Sequence, residues 1–351
     1  MPERVLDKNF LTSALENRDP GFCCELYAEA GELRDRTVGP KVYLRGLIEI
    51  SNICRKNCLY CGIRRENGAA SRYTLSDEEI LAAARFAFES GYGSICIQSG
   101  ELQDKSFTGR ITRLIKEIKR LSDGALGITL SLGEQPCETL QEWFDAGAHR
   151  YLIRIETSSP RLYARLHPQD PLHSFETRMQ TLRDLRRGGW QVGSGVMIGL
   201  PFQTCADLAD DLLFLKDFDV DMVGMGPYIP HPETPLGRLC LSGEAPVPSE
   251  AQRLEMVLKM VALLRLLMPD INIAATTALE VLDPRGREKA VAAGANIVMP
   301  NISPALVRQK YDLYEGKKNL TESAALGEIE IGYNDWGDSP RFRSRVSKSR
   351  D

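Results

Sequence analysis

Residues 47–62 read LIEISNICRKNCLYCG, a short apolar run from Leu47 to Ile50 that stops at a polar turn carrying Cys54, Cys58 and Cys61. A run of that length bounded by turn residues reads as a buried strand. Working outward, seven more β-prone runs follow, at Ser94 to Gln98, Ile128 to Ser131, Tyr151 to Ile155, Val192 to Ile198, Asp221 to Gly224, Ile271 to Ala275 and Asn296 to Met299. Helical periods fill the gaps. One opens at the capping box Ser76 to Glu79, with Ile80, Ala83, Ala84 and Ala87 on one face and Gly91 ending it. Another opens at Ser249 to Gln252, and Leu208, Leu212 and Leu215 mark a third after Thr204. Each parallel crossover needs a connection of about a dozen residues, usually a helix. The alternation therefore predicts an α/β protein with a parallel (βα)8 TIM barrel. In such a barrel function gathers at the C-terminal ends of the strands. Those ends carry Ser99-Gly100-Glu101, Gly133-Glu134, Arg154 with Glu156, and Thr276-Thr277.

The rest of the 351-residue chain fits around that barrel. Residues 1–40 read as an N-terminal helical extension, 41–316 as the barrel and 317–351 as a loose, polar C-terminal tail. With 44 basic and 48 acidic side chains the formal charge is -4, which disfavours nucleic acid as a partner. The charged first twenty residues hold no apolar core of signal-peptide length. The most apolar stretch, Met256 to Met268, is broken by Lys259 and Arg265, so no membrane span is expected. The expected compartment is the cytoplasm.

Nine cysteines in a chain this large do not suggest a disulfide framework. Cys54, Cys58 and Cys61 fall within eight residues, whereas a closed zinc site wants four ligands. Thiolates also hold Fe–S clusters, commonly four to a 4Fe-4S unit, so three leave one iron open to a substrate or cofactor.

Cys54-x3-Cys58-x2-Cys61 after a first strand, with Tyr60 before the third cysteine, resembles the radical S-adenosylmethionine (SAM) superfamily. The resemblance implies a radical SAM barrel with one 4Fe-4S cluster on those three cysteines. It also implies SAM on the open iron, cleaved reductively to methionine and a 5′-deoxyadenosyl radical. Position by position, Ser99-Gly100-Glu101 resembles the glycine-rich element that binds the methionine amino group. Glu156 matches the ribose-binding position, and Arg178 resembles an arginine near the SAM carboxylate. Gly193 and Gly195 lie in the segment that approaches adenine, with Tyr60 near the same base.

Within the superfamily, EISNICRKNCLYCGIRREN (49–67), SLGE (131–134), RYLIRIETSSP (150–160), DMVGMGPYIPHPETPL (221–236) and ATTA (275–278) with IVMPN (297–301) resemble the HydE family of FeFe-hydrogenase maturases. That resemblance implies a substrate cavity lined by Arg154, Thr276, Thr277, Met299 and Tyr311, with Ser131 and Glu134 nearby. The implied substrate is a small iron-cyanide-carbonyl-cysteine complex, and sister hydrogenase maturases are the implied partners. Some members carry extra cysteines near the C-terminus for an accessory cluster. None lies beyond Cys240 here, so one cluster is expected. Arg55, Lys56, Arg64 and Arg65 flank the cluster loop and are expected to meet an acidic flavodoxin or ferredoxin as electron donor. Biotin synthase shares the motif, but Thr129 and Gly193 stand where two of its further cysteines would be. A methylornithine synthase-like carbon-skeleton mutase and a non-catalytic Fe–S carrier or sensor remain alternative readings.

Overall fold

The computed structural model describes residues 5–315, 330–333 and 335–348. Eight parallel strands close into a barrel: β1 (Val42–Ser51), β2 (Ser94–Ser99), β3 (Gly127–Ser131), β4 (Arg150–Leu152), β5 (Gln191–Ser194), β6 (Met222–Val223), β7 (Asn272–Ala275) and β8 (Ile297–Val298). Closure is the pairing of Tyr43 with Ile297 and of Leu44 with Val298. Each strand meets one of the expected runs, because a strand covered by helices outside and by side chains inside is buried on both faces and is rich in apolar residues. A parallel pair, Met197–Ile198 with Gly226–Pro227, prolongs the β5 and β6 side of the wall towards the mouth.

The helices begin where the capping residues predict. Ser76, Thr204 and Ser249 each cap a helix in a reciprocal box with Glu79, Asp207 and Gln252. Gly91, at φ +75°, follows helix Asp77–Glu89, and Tyr92 N donates back to Ala87 O at 2.9 Å. Outside the barrel, helices Lys8–Glu16 and Pro20–Thr37 pack against helix Glu250–Leu267. Lys259 on that helix is wholly buried. Its Nζ donates to Leu15 O and Asn17 O at the end of the first helix and pairs with Glu255 at 2.6 Å. No helix among the described residues is long and apolar enough to cross a membrane.

The segment expected as a loose tail differs from that expectation where it is described. A short strand β9 (Ile331–Gly332) pairs in parallel with Val42 and Tyr43 of β1. Beyond it the chain crosses the N-terminal ends of the strands. The Trp336 ring lies 4.4 Å from that of His149, Asn272 donates to Gly337 O at 2.5 Å, and Asp338 pairs with the buried Arg150 at 2.6 Å. Helix Pro340–Lys348 is then fastened by Arg341 to Asp219 and Asp270 and by Arg345 to Asp219 and Asp221. Ionic and stacking contacts hold this floor, so it left no apolar period to read. Residues 317–329 of the expected tail lie outside the described residues.

Candidate active site at the barrel mouth

β1 ends in a register shift between Glu49 and Ser51, and a long connection without regular structure follows. Side chains replace the missing ladder. Asn52 donates to Ser71 O (2.9 Å) and Lys310 O (2.7 Å) and accepts from Tyr73 N (2.8 Å). Arg72 spans the loop, donating to Asn52 O, Ile63 O and Arg64 O at 2.6–2.8 Å. His173 Nε2 accepts from Asn57 N at 2.8 Å while its Nδ1 faces Asp170 at 2.7 Å, which fixes the proton on Nδ1. Cys54, Cys58 and Cys61 thus sit on a well-tied loop.

All three thiols line one cavity of about 350 Å³, within the usual span of small-ligand sites. Burial raises each of them, Cys58 to about 12, so thiolates are unfavourable here unless a cationic group binds them. Cys54 Sγ already accepts from Lys56 N (3.4 Å) and Glu101 N (3.3 Å). Among the described residues no three His, Cys, Asp or Glu side chains converge on a single ion. A 4Fe-4S cluster asks for something else, since its cysteines bind different irons and stand further apart. The donor set fits a cluster better than a mononuclear metal.

Beside the loop, the β2 corner is pressed onto it. A Cβ on Gly100 would come within 2.3 Å of Ile53 O and 2.7 Å of Cys54 Cβ, so only glycine allows this approach. The next residue, Glu101, is buried and lines the cavity. Its Oε2 accepts from Glu134 N at 2.8 Å, while Oε1 has no hydrogen bond, with Lys56 and Arg55 no nearer than 3.5 Å. Burial pushes this carboxyl up. An unfilled acceptor beside the cysteines is what an ammonium group would satisfy.

Glu134 does not line the cavity; it stands behind Glu101 and grips Lys56 and Arg178, each at 2.7 Å. Burial alone would raise it, but the two cations outweigh that and hold it below the usual carboxylate range. Arg178 also donates to Arg154 O at 2.5 Å and lines the cavity. Lys56 and Arg64 are buried, which corrects the expectation that both belong to an exposed cationic rim. Of the four flanking cations, Arg55 and Arg65 keep exposed side-chain surface.

Further round, Arg154 Nη2 donates to Val196 O at 2.8 Å and lies 3.0 Å from Glu156 Oε2. That ion pair is not aligned as a hydrogen bond, and both Arg154 Nε and Glu156 Oε2 remain without one. Glu156 has φ +66°, a left-handed backbone unusual for a side-chain-bearing residue. Tyr60 stands edge-on to His167, ring centres 5.5 Å apart, and also lines the cavity. Gly193 and Gly195 do not. A Cβ on Gly193 would meet Met222 Cε at 2.5 Å, and one on Gly195 would meet Gly224 O at 2.0 Å, so both glycines allow the wall itself to pack.

Deeper down, Ser131, Thr276, Thr277, Met299 and Tyr311 all border the same cavity. Thr276 spends its hydroxyl on Met225 O (3.0 Å), and Thr277 shares one with Tyr314 (3.1 Å). The cavity reaches Arg45 and Met222, low in the barrel. Sequence reasoning missed Arg45, because a lone arginine within a strand gives no signal. Its Nη2 is unbonded, and no carboxylate among the described residues pairs with it. Burial, and then the charge of Arg150, lower its pKa to about 9. Asn52, Arg72 and His173 were equally silent, since their roles depend on the loop's path.

Residues 48–215 match the model of the radical SAM superfamily. Over 317 residues the chain is 45% identical to the [FeFe] hydrogenase maturase subunit HydE of Thermotoga maritima, covering 90% of this chain and 86% of that one. In fold it is similar to methylornithine synthase (TM-score 0.78, 24% identity, 94% of this chain and 95% of that chain). It is also similar in fold to the FeFe-hydrogenase maturase HydG from Carboxydothermus hydrogenoformans (TM-score 0.75, 21% identity, 91% and 73%).

Proposed function

The chain belongs to the radical SAM superfamily and, within it, to the HydE family, and on that premise we propose that it acts in assembling the di-iron subcluster of an FeFe-hydrogenase. It is a radical SAM enzyme whose family cofactors are a 4Fe-4S cluster and SAM. When bound, that pair supplies a 5′-deoxyadenosyl radical by one-electron cleavage of SAM. Cys54, Cys58 and Cys61 would hold the cluster, leaving one iron without a protein ligand.

The chain's own residues then bind and orient. Glu101 Oε1 offers the SAM ammonium an acceptor that nothing else fills. Arg178, steadied by Glu134, would offer the SAM carboxylate a fixed guanidinium. Glu156 would accept from the ribose hydroxyls, and Tyr60 would pack near adenine. Below them the substrate space holds Arg154, the two threonines, Met299 and Tyr311, with Arg45 beneath. Two guanidiniums with unbonded N–H groups suit an anionic cargo. The iron-cyanide-carbonyl-cysteine complex, delivered by a sister maturase, has that character. An oxygen-sensitive cluster suits the reducing cytoplasm. An acidic flavodoxin or ferredoxin would dock at the cluster loop through Arg55 and Arg65.

The observation that carries this reading is one continuous cavity running from three thiols and an unsatisfied carboxylate down to two guanidiniums that each keep an unbonded N–H group. Its test is 5′-deoxyadenosine formation by anaerobically reconstituted, reduced protein with SAM, with and without the iron complex. Stimulation with adenosyl transfer to the complex supports the maturase. Cleavage indifferent to the complex removes this substrate and reopens the mutase, and cluster-replete protein that binds but never cleaves SAM favours the carrier.

A further inference from the structure

Helix Cys205–Asp217 runs outside the barrel wall and buries Leu208, Leu212 and Leu215. Asp211 belongs to the same buried face and is wholly inaccessible to solvent. A carboxylate there is costly, and an aliphatic side chain would serve helix packing better. Its Oδ2 has no hydrogen bond, and no cation among the described residues pairs with it. What it does have is a cluster of donors on Oδ1: Ser158 N at 2.5 Å, Ser158 Oγ at 2.6 Å and Thr157 Oγ1 at 3.4 Å.

Those donors belong to the two residues that follow Glu156, whose φ is +66°. Such a backbone persists only where its surroundings over-determine it. On the barrel side, Glu156 N donates to Gly195 O (3.1 Å) and Glu156 O accepts from Met197 N (3.0 Å). On the outer side, the constraint is Asp211. Without it the Thr157–Ser158 turn loses its anchor, and the glutamate is free to relax to an ordinary extended conformation that carries its carboxylate away.

We propose that Asp211 is a positioning residue for SAM binding: from outside the wall it fixes the Thr157–Ser158 turn and so keeps the Glu156 carboxylate at the cavity. This rests on the reading of Glu156 as the ribose contact. Neither Asp211 nor the turn lines the cavity, so the effect is transmitted through backbone alone.

Equilibrium dialysis of labelled SAM against cluster-loaded protein tests this, with methionine, which lacks the ribose, as the second probe. Asp211→Ala is expected to raise the SAM dissociation constant about tenfold while methionine binding stays within about twofold. Asp211→Asn keeps an acceptor oxygen for Ser158 and should restore SAM affinity to within about twofold of the wild type. If Asp211→Ala does not fold, Ser158→Ala, which removes one donor, should give the same selectivity with about a threefold loss. Weakened binding in Glu156→Gln beside unchanged SAM affinity in Asp211→Ala or Ser158→Ala would overturn the positioning role alone. Unchanged affinity in all of them would overturn the ribose assignment and the positioning role together. Equal losses for SAM and methionine would reduce Asp211 to a general structural part and also overturn the inference.

Discussion

Replacing Glu134 by glutamine should damage the site more than its absence from the cavity wall suggests. Glu134 is 3% exposed and makes two ion pairs of 2.7 Å, with Lys56 Nζ and Arg178 Nε. Both cations are themselves buried, so the amide leaves two charges without their nearest counter-ion. Removing one partner of a buried pair costs about 3–5 kcal/mol. The lower end applies, because Glu101 stands 3.5 Å from Lys56 and takes up part of the charge. The expected loss is therefore about 3 kcal/mol, read as a lower urea midpoint with unchanged slope. A double-mutant cycle with Lys56→Met should return a coupling of about 1–3 kcal/mol, since removing the cation relieves part of the damage. A Glu134→Gln protein within about 1 kcal/mol of the wild type, with coupling under about 0.5 kcal/mol, would refute the reasoning and make the network a solvated one.

Gly100→Ala should fold but load poorly: the new methyl displaces Ile53 and Cys54, and iron per chain after reconstitution should fall well below that of the wild type. Clean wild-type protein should hold about four irons per chain, and a value far above that would reveal a second cluster. Arg154→Ala should abolish stimulation of SAM cleavage by the iron complex; unchanged substrate-dependent turnover would remove Arg154 from the substrate site. Asp211 supplies the pH dependence. Burial raises its pKa from 3.8 to about 7 in the folded chain, so between those values the folded state keeps a proton that the unfolded state has released. Stability from this group is therefore full below pH 4 and declines as pH rises to about 7, by an amount on the order of 4 kcal/mol. Asp211→Asn should accordingly be more stable than the wild type at pH 8 and indistinguishable from it at pH 4; a constant difference at both would contradict the assignment.

The barrel was legible because burial on both faces leaves each strand a short apolar run, and because Ser76, Thr204 and Ser249 announce their helices locally. The cysteine cluster was legible for the same reason, since its spacing is itself local. What escaped depends on partners far away in sequence. Lys56 reads as a surface cation until Glu134 arrives 78 residues later, and Trp336 reads as tail until it meets His149. Gly193 and Gly195 carry a third lesson. Glycine signals close approach, but not what approaches, and here it is Met222 and Gly224.

The floor of the barrel has a consequence for the order of synthesis. Residues 330–348 are translated after every strand of the barrel, yet they supply the Arg150 guanidinium with the one carboxylate it pairs with among the described residues. On the ribosome, then, the eight strands can close while their lower end still stands open to water and Arg150 still hydrated, and the strap buries that charge only as it arrives. A nascent chain halted near residue 329 would carry the loop of three cysteines and the cavity lining, and would be a tube where the finished molecule is a cup.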